Sequence, residues 1–232
     1  MKVSKRKKQF AALVDPKKGY SIPEAVAILK KAPKVKFDET VEVALKLAVD
    51  PKQSDQMIRG TVALPHGTGK RVRIAVFCRE NLQARALEAG ADLVGADDLV
   101  EKVRKGEIHF DVAVSSPDMM KEVGTLGKIL GPKGLMPNPK VGTVTQDVAK
   151  AVKELKSGRI EFKLDKQADI HVSVGKISFS DQALAENITS FYQTLLKTKP
   201  ASVKGAFIQR MTVSSTMGPG IRLDVAQLKG ID

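Results

Sequence analysis

Apolar and polar positions along this chain follow two different rhythms. Ser21 opens a helix at capping-box spacing to Glu24, and Ala25, Ile28 and Leu29 follow at helical intervals. Val41, Val43, Leu45, Leu47 and Val49 then alternate with Glu42, Ala44, Lys46, Ala48 and Asp50. That alternation predicts a strand with one buried face, ended by Asp50-Pro51. Ile58 to Leu64 fits a second strand, and Pro65-His66-Gly67-Thr68-Gly69 breaks the pattern.

From Val72 the rhythm changes. Val72 to Cys78 is apolar on both faces, as in a strand buried within a parallel sheet. A helix is expected from Asn81 to Ala89, a short strand near Leu93-Val94, a helix from Asp97 to Lys105 and a strand from Asp111 to Val114. Thr145 is placed to cap a further helix through Lys156, with Val148, Val152 and Leu155 on one face. Strand alternating with helix predicts an open α/β sheet. After Ser157-Gly158 the amphipathic strands return, at Arg159 to Leu164 and Ile170 to Val174, with a helix from Asp181 to Lys197 and a strand from Val203 to Val213. The fold class expected is therefore α+β for a discontinuous first domain built from both chain ends, with an α/β domain inserted between them. Insertion at an exposed turn is physically easy because the cut ends lie close together. Glycine-containing turns at both joints suit a hinge.

Charge adds a partner class. The 232 residues carry 39 Lys and Arg against 26 Asp and Glu, a net +13, distributed as +7 over 1–69, +3 over 70–157 and +3 over 158–232. An excess of this size favours a polyanion, and nucleic acid first. With 4% aromatic residues and no Trp, a platform that stacks single-stranded bases is disfavoured. The single Cys, Cys78, excludes an internal disulfide and reads as a buried, inert thiol. No apolar run approaches the roughly 18 residues of a spanning helix, and the basic Met1-Lys2-Val3-Ser4-Lys5-Arg6-Lys7-Lys8 precedes no apolar core. A cytoplasmic protein with no membrane partner is expected.

Catalytic readings find no residues. Neither a dinucleotide nor a phosphate-loop fingerprint is present, and Gly67-Thr68-Gly69-Lys70 precedes a strand instead of opening a helix. His66, His109 and His171 are scattered without ligand spacing, so neither metal nor cofactor is expected. Asp97-Asp98 charge the first turn of a helix. The segment from Gly124 to Lys140 combines glycines, prolines and lysines, and predicts a stiffened surface loop. Composition does not choose between phosphate contact there and a loop held by packing of Leu130, Leu135 and Met136.

Four stretches together carry a resemblance. They are Gly124 to Lys140 followed by Val141-Gly142-Thr143-Val144; Ser54-Asp55-Gln56 with Arg59-Gly60; Leu64-Pro65-His66-Gly67-Thr68-Gly69; and Ser214-Ser215-Thr216-Met217-Gly218-Pro219. In order and spacing, from about Lys5 to Arg222, the chain resembles the bacterial large-subunit ribosomal protein L1 family. The resemblance implies a first, RNA-binding domain at 1–67 and 159–232 and a Rossmann-like insert at 68–158. It implies binding to the 23S ribosomal RNA of the mobile stalk beside the tRNA exit site, help in releasing deacylated tRNA, and repression of translation from the chain's own operon mRNA. A protein monomeric when free, without enzymatic activity, is expected.

Carried over by position, the implied RNA-binding residues are Lys36, Phe37, Thr40, Lys166, His171, Ser214, Thr216, Met217 and Gly218. Lys36 offers a phosphate partner, Phe37 an apolar face, and Thr40 a hydroxyl. Thr216 can donate and accept, Met217 can lie against a nucleotide, and Gly218 admits a close backbone. Lys5 and Arg6 add general phosphate attraction. Met57, Ala48, Lys133 and the turn from Leu164 to His171 depart from the family's usual pattern. Two other classes compete: a nucleotide-handling α/β enzyme with a basic accessory domain, which lacks a phosphate loop, and a DNA-binding repressor, which lacks helix-turn-helix spacing.

Overall fold

The computed structural model describes residues 5–33, 35–203 and 205–228. In chain order its elements are α1 (Lys5–Leu13), α2 (Ile22–Lys31), β1 (Thr40–Leu47), β2 (Arg59–Ala63), β3 (Ile74–Phe77), α3 (Glu80–Glu88), β4 (Leu93–Gly95), α4 (Asp97–Arg104) and β5 (Val112–Ser115). There follow α5 (Met120–Thr125), α6 (Gly127–Leu130), α7 (Val148–Lys156), β6 (Arg159–Lys163), β7 (Asp169–Lys176), α8 (Asp181–Lys197), β8 (Ile208–Ser215), β9 (Ile221–Leu223) and α9 (Val225–Leu228). The chain divides into two compact units: the segments up to Gly69 and from Ile160 onward, and the stretch Lys70–Arg159.

In the unit made of both chain ends, β1 is a central strand of an antiparallel sheet ordered β7-β1-β8-β9. Its alternation puts Val41, Val43, Leu45 and Leu47 into the core. There they meet Ala25, Val26 and Leu29 of α2 and Leu184, Ile188, Phe191 and Leu195 of α8. The opposite face of the sheet is not covered in this way: Glu42, His171, Arg210 and Arg222 are exposed on it. The capping box opens α2 as its spacing predicts: Ser21 Oγ accepts from the Glu24 amide, and the Glu24 carboxylate accepts from the Ser21 amide at 3.0 Å. β2 and β6 form a separate pair. The Phe162 ring of β6 lies so close over Gly60 that a Cβ there would stand 2.7 Å from Phe162 Cζ, and it meets Phe191 edge-on at 5.7 Å.

The other unit holds a parallel sheet ordered β4-β3-β5, extended by a bridge from Ser115 to Val144. All four residues of β3 are buried, as an apolar run on both faces requires. Ile74, Val76 and Cys78 pack against α3 and α7, while Ala75 and Phe77 pack against α4, α5 and α6. Burial pushes the Cys78 thiol pKa up, in keeping with an inert side chain.

Several expectations are corrected. Asp147, not Thr145, caps α7: its carboxylate accepts from the Lys150 amide, while Thr145 Oγ1 accepts from the Asp147 amide one turn earlier. The strand expected from Val203 begins at Ile208, because Val203 closes a turn onto the Pro200 carbonyl. The glycine-rich stretch starts as helix, α6, before its turns. Leu130 is fully buried there, and Leu135 and Met136 pack on the same core, leaving Gly131, Pro132, Lys133 and Gly134 exposed. The basic N-terminal run, for which the pattern predicts no element, continues into helix α1.

The turn at Pro65–Gly69 is anchored to α8. Asn187, fully buried, donates to the Gly67 carbonyl at 2.9 Å and the Val174 carbonyl at 2.7 Å, and accepts from the His66 amide at 3.1 Å. Gly67 and Gly69 take positive φ, and a Cβ on Gly69 would meet Lys176 and Phe179 at 2.9 Å. Asn187→Ala leaves three backbone groups without their side-chain partner, the Val174 carbonyl among them in a buried position. It is expected to cost about 2–4 kcal/mol of stability, read as a lowered urea midpoint by circular dichroism; a shift within about 0.5 kcal/mol contradicts the anchor.

Candidate nucleic-acid interface

Two distant segments meet at one end of the four-stranded sheet. The Thr216 amide donates to the Thr40 carbonyl at 3.0 Å, and the Thr40 amide donates to Thr216 Oγ1 at 3.0 Å. Thr216 Oγ1 in turn lies 3.3 Å from the Thr40 carbonyl, to which it donates. The Thr216 hydroxyl is therefore a staple between the segments, and its proton is used inside the protein. Thr40 is arranged the other way. Lys176 Nζ donates to Thr40 Oγ1 at 2.8 Å, and an ammonium has no acceptor, so the Thr40 hydroxyl proton remains to be given outward.

Each of the two stapled segments carries an exposed apolar side chain, Phe37 at 54% and Met217 at 52% exposure. With more than half of its surface open, Phe37 is not an anchor of the core. Lys36 is exposed beside it. Gly218 donates its amide to the Ser215 carbonyl at 3.0 Å, and a Cβ at Gly218 would fall 2.2 Å from Ser215 Oγ. Glycine is thus required there by the protein's own packing. Ser214 lies on the open face of the sheet, opposite Glu42.

Lys166 and His171 lie elsewhere. His171 pairs with Ala44, four residues along β1 from Thr40, or about 14 Å at strand rise. It lines a groove of about 440 Å³ on the open sheet face with Lys46, Arg210, Thr212 and Arg222. Lys166 is exposed in the turn between β6 and β7, and the Ala168 carbonyl of that turn accepts from the amide of Leu47, the last residue of β1. The structure therefore joins the segment that carries Phe37 and Thr40 to the one that carries Ser214, Thr216, Met217 and Gly218, and sets Lys166 and His171 toward the far end of the same sheet. The sequence reading missed Lys176, which orients Thr40, and the groove's Lys46, Arg210 and Arg222. The period-2 alternation of β1 places Lys46 on the open face, but cross-strand neighbours need the register.

Arg6 is engaged within the protein. It donates to the Pro33 carbonyl at 3.3 Å and to the Glu39 carboxylate at 3.4 Å, and its guanidinium lies 5.2 Å from the centre of the Phe10 ring. The Lys5 side chain lies outside the described residues. The turn that carries Lys166 is organised by Asp165, whose carboxylate accepts from the amides of Gln167 at 2.7 Å and Asp169 at 2.8 Å. The Asp169 amide above all, aided by that of Gln167, holds Asp165 below the ordinary 3.8 despite partial desolvation. In the same turn Ala168 adopts φ of 61°, a left-handed conformation unusual for a residue with a Cβ. On α8, the His66 ring, then Gln182, similarly holds Glu186 below 4.5.

A carboxylate whose folded-state pKa is depressed stabilises fully above its unfolded value, and that contribution is lost as pH falls through the folded value. The denaturant midpoint is therefore expected to be flat above about pH 5 and to fall toward pH 3. Asp165→Asn and Glu186→Gln should each shallow the fall; profiles that superimpose on the parent contradict these assignments.

The chain matches the Ribosomal protein L1p/L10e family over residues 29–219. It is 55% identical over 224 residues to the large ribosomal subunit protein uL1 of Protochlamydia amoebophila, covering 97% of this chain and 95% of that one. It is 56% identical over 211 residues to the protein of the same name from Chlamydia pneumoniae, covering 91% of each. The counterpart from Chlamydia trachomatis serovar D is 53% identical over 227 residues, 98% of each. Matches of this length take in both compact units, including the Phe37 and Met217 segments, and the chain belongs to the ribosomal protein L1p/L10e family.

Proposed function

We propose that this protein is a structural, non-enzymatic constituent of the large ribosomal subunit in the cytoplasm, and that the unit built from both chain ends binds 23S ribosomal RNA of the mobile stalk. One observation carries the site: two exposed apolar side chains, Phe37 and Met217, stand on segments that a staple joins across 176 residues of sequence. Exposure alone does not single them out, since Met57 and Leu87 are as open; what distinguishes Phe37 and Met217 is that they sit on two segments tied to each other by that staple. Lys36 beside them, within a chain of net charge +13, supplies the phosphate attraction, while the apolar pair and the outward Thr40 hydroxyl supply shape. The rigidity of the staple favours docking onto RNA that is already folded. Lys166 and His171, toward the other end of the sheet, are read as contacts to a more distant part of the same RNA.

The family's further roles are part of the proposal. Release of deacylated tRNA is assigned to the inserted unit, whose exposed Lys133 between Gly131 and Gly134 offers a cation on a stiff turn. Repression of the chain's own operon mRNA follows if that message presents the same RNA shape to Phe37 and Met217. The free protein is read as a monomer.

Binding to a stalk RNA fragment and to an unrelated hairpin, across a salt series, tests the reading. Met217→Ala and Phe37→Ala are each expected to weaken stalk binding about tenfold, the value of roughly one base contact at 1–3 kcal/mol, with the salt slope unchanged. Lys36→Ala should weaken both RNAs and reduce the slope by about 0.7–0.9. Equal affinity of the parent for both RNAs would leave only a generic polyanion surface.

A further inference from the structure

Beneath the proposed RNA surface lies a carboxylate with no evident reason to be there. Glu39 is 5% exposed, although it stands between Phe37 and Thr40 in a face meant to meet phosphates. Its Oε2 accepts from Ser215 Oγ at 2.8 Å, and its Oε1 accepts from Arg6 at 3.4 Å. Ser215 is itself buried, at 4%, and immediately precedes Thr216. Its hydroxyl is wedged between the Glu39 carboxylate and the Cα side of Gly218, where a Cβ would come within 2.2 Å. Its carbonyl holds the Gly218 amide. One buried anion thus fixes the residue around which the Thr216–Gly218 turn is folded, and the Glu39 carbonyl, accepting from the Ile177 amide at 2.9 Å, ties the same point to the end of β7.

An anion here repels the ligand's phosphates and costs desolvation, and an unpaired buried charge is more costly still. Its position must therefore do something that a neutral side chain would not. Arg6 explains how the charge is tolerated: its Nη2 is shared between the Glu39 carboxylate and the Pro33 carbonyl, and its guanidinium lies by the Phe10 ring, which makes it the counter-ion contributed by α1.

We infer that Glu39 is the positioning residue that sets the two halves of the RNA surface against each other, acting through Ser215, with Arg6 as its internal counter-ion and not a phosphate ligand. This rests on the proposed RNA-binding reading of that end of the sheet. Glu39 touches no RNA in this account. It determines where Phe37 and Thr40 stand relative to Met217 and Gly218. Glu39→Ala and Ser215→Ala each free the turn, and because both break one link their effects overlap. Glu39→Gln keeps an acceptor for the Ser215 hydroxyl and retains most of the function.

The test uses the full-length protein and two readouts. Amide hydrogen exchange of the free protein is expected to accelerate at Thr216 and Gly218 in Glu39→Ala and in Ser215→Ala by tenfold or more, but little in Glu39→Gln. Stalk-fragment affinity should drop at least tenfold in both alanine variants and no further in the double variant, while binding to the unrelated hairpin holds. Arg6→Ala should lower stalk affinity with the salt slope intact, whereas loss of a phosphate contact lowers that slope by about 0.7–0.9. Unchanged exchange at Thr216 and Gly218, strictly additive losses, or a reduced slope in Arg6→Ala would each overturn the inference. If the parent does not distinguish the two RNAs, the RNA reading fails, and the exchange data still decide whether Glu39 holds the turn. Should Glu39→Ala not fold, Ser215→Ala carries both measurements.

Discussion

The pairing of β1 with strands from the other end of the chain is the constraint on which the first unit depends. Thr40 lies opposite Lys176 and Val41 opposite Ser215, so the segments that carry the proposed RNA surface are joined across more than a hundred intervening residues. Closing so long a loop costs conformational entropy, but that cost rises only by about 0.6 kcal/mol per doubling of length. Burial of one face of β1 under α2 and α8 outweighs it. The way out and the way back lie side by side in the separate pair of β2 and β6, where the Leu164 amide donates to the Ile58 carbonyl at 2.9 Å. An independent parallel sheet can then occupy the excursion without disturbing the antiparallel one.

That register also separates two kinds of binding energy. Lysines and arginines are spread along the chain and act over a Debye length of roughly 8–10 Å, which attracts any polyanion. Phe37 and Met217 act only on contact, so their value depends on being held where a particular RNA shape can meet them. The Thr40–Thr216 staple and the Glu39–Ser215 contact lie on adjacent residues of the same two segments. Selectivity is thereby built from hydrogen bonds that never leave the protein, and the charge around them serves mainly to bring the partner in.

Much of this was legible from alternation alone. The period-2 pattern read β1 correctly because one face of that strand is buried, and the unbroken apolar run read β3 because both of its faces are. Where packing decided, the pattern failed. The stretch before Ile208 looks like strand, but Val203 closes a turn onto the Pro200 carbonyl at 3.1 Å. Thr145 and Asp147 are both good caps, and only the backbone trace tells which one meets the free amides of α7. Lys166 and His171 were grouped with Phe37 and Met217 by resemblance, whereas distance along a strand is invisible until the register is known. Glu39 and Ser215 were overlooked although the signal was present: each falls on the buried parity of its strand, in step with Val41 and Val213. A polar residue on a buried parity marks a hydrogen-bonded partner somewhere else in the chain, and here the partners are each other.

The central claim, that RNA is recognised by the joined Phe37 and Met217 segments, is most directly tested by nuclear magnetic resonance of protein labelled at the methionine methyls and phenylalanine rings, titrated with the stalk RNA fragment. The account predicts that the Met217 methyl and Phe37 ring signals shift together and saturate at one RNA per protein, while Met57, exposed in the same unit, stays in place. Saturation with Met217 and Phe37 unmoved would contradict it.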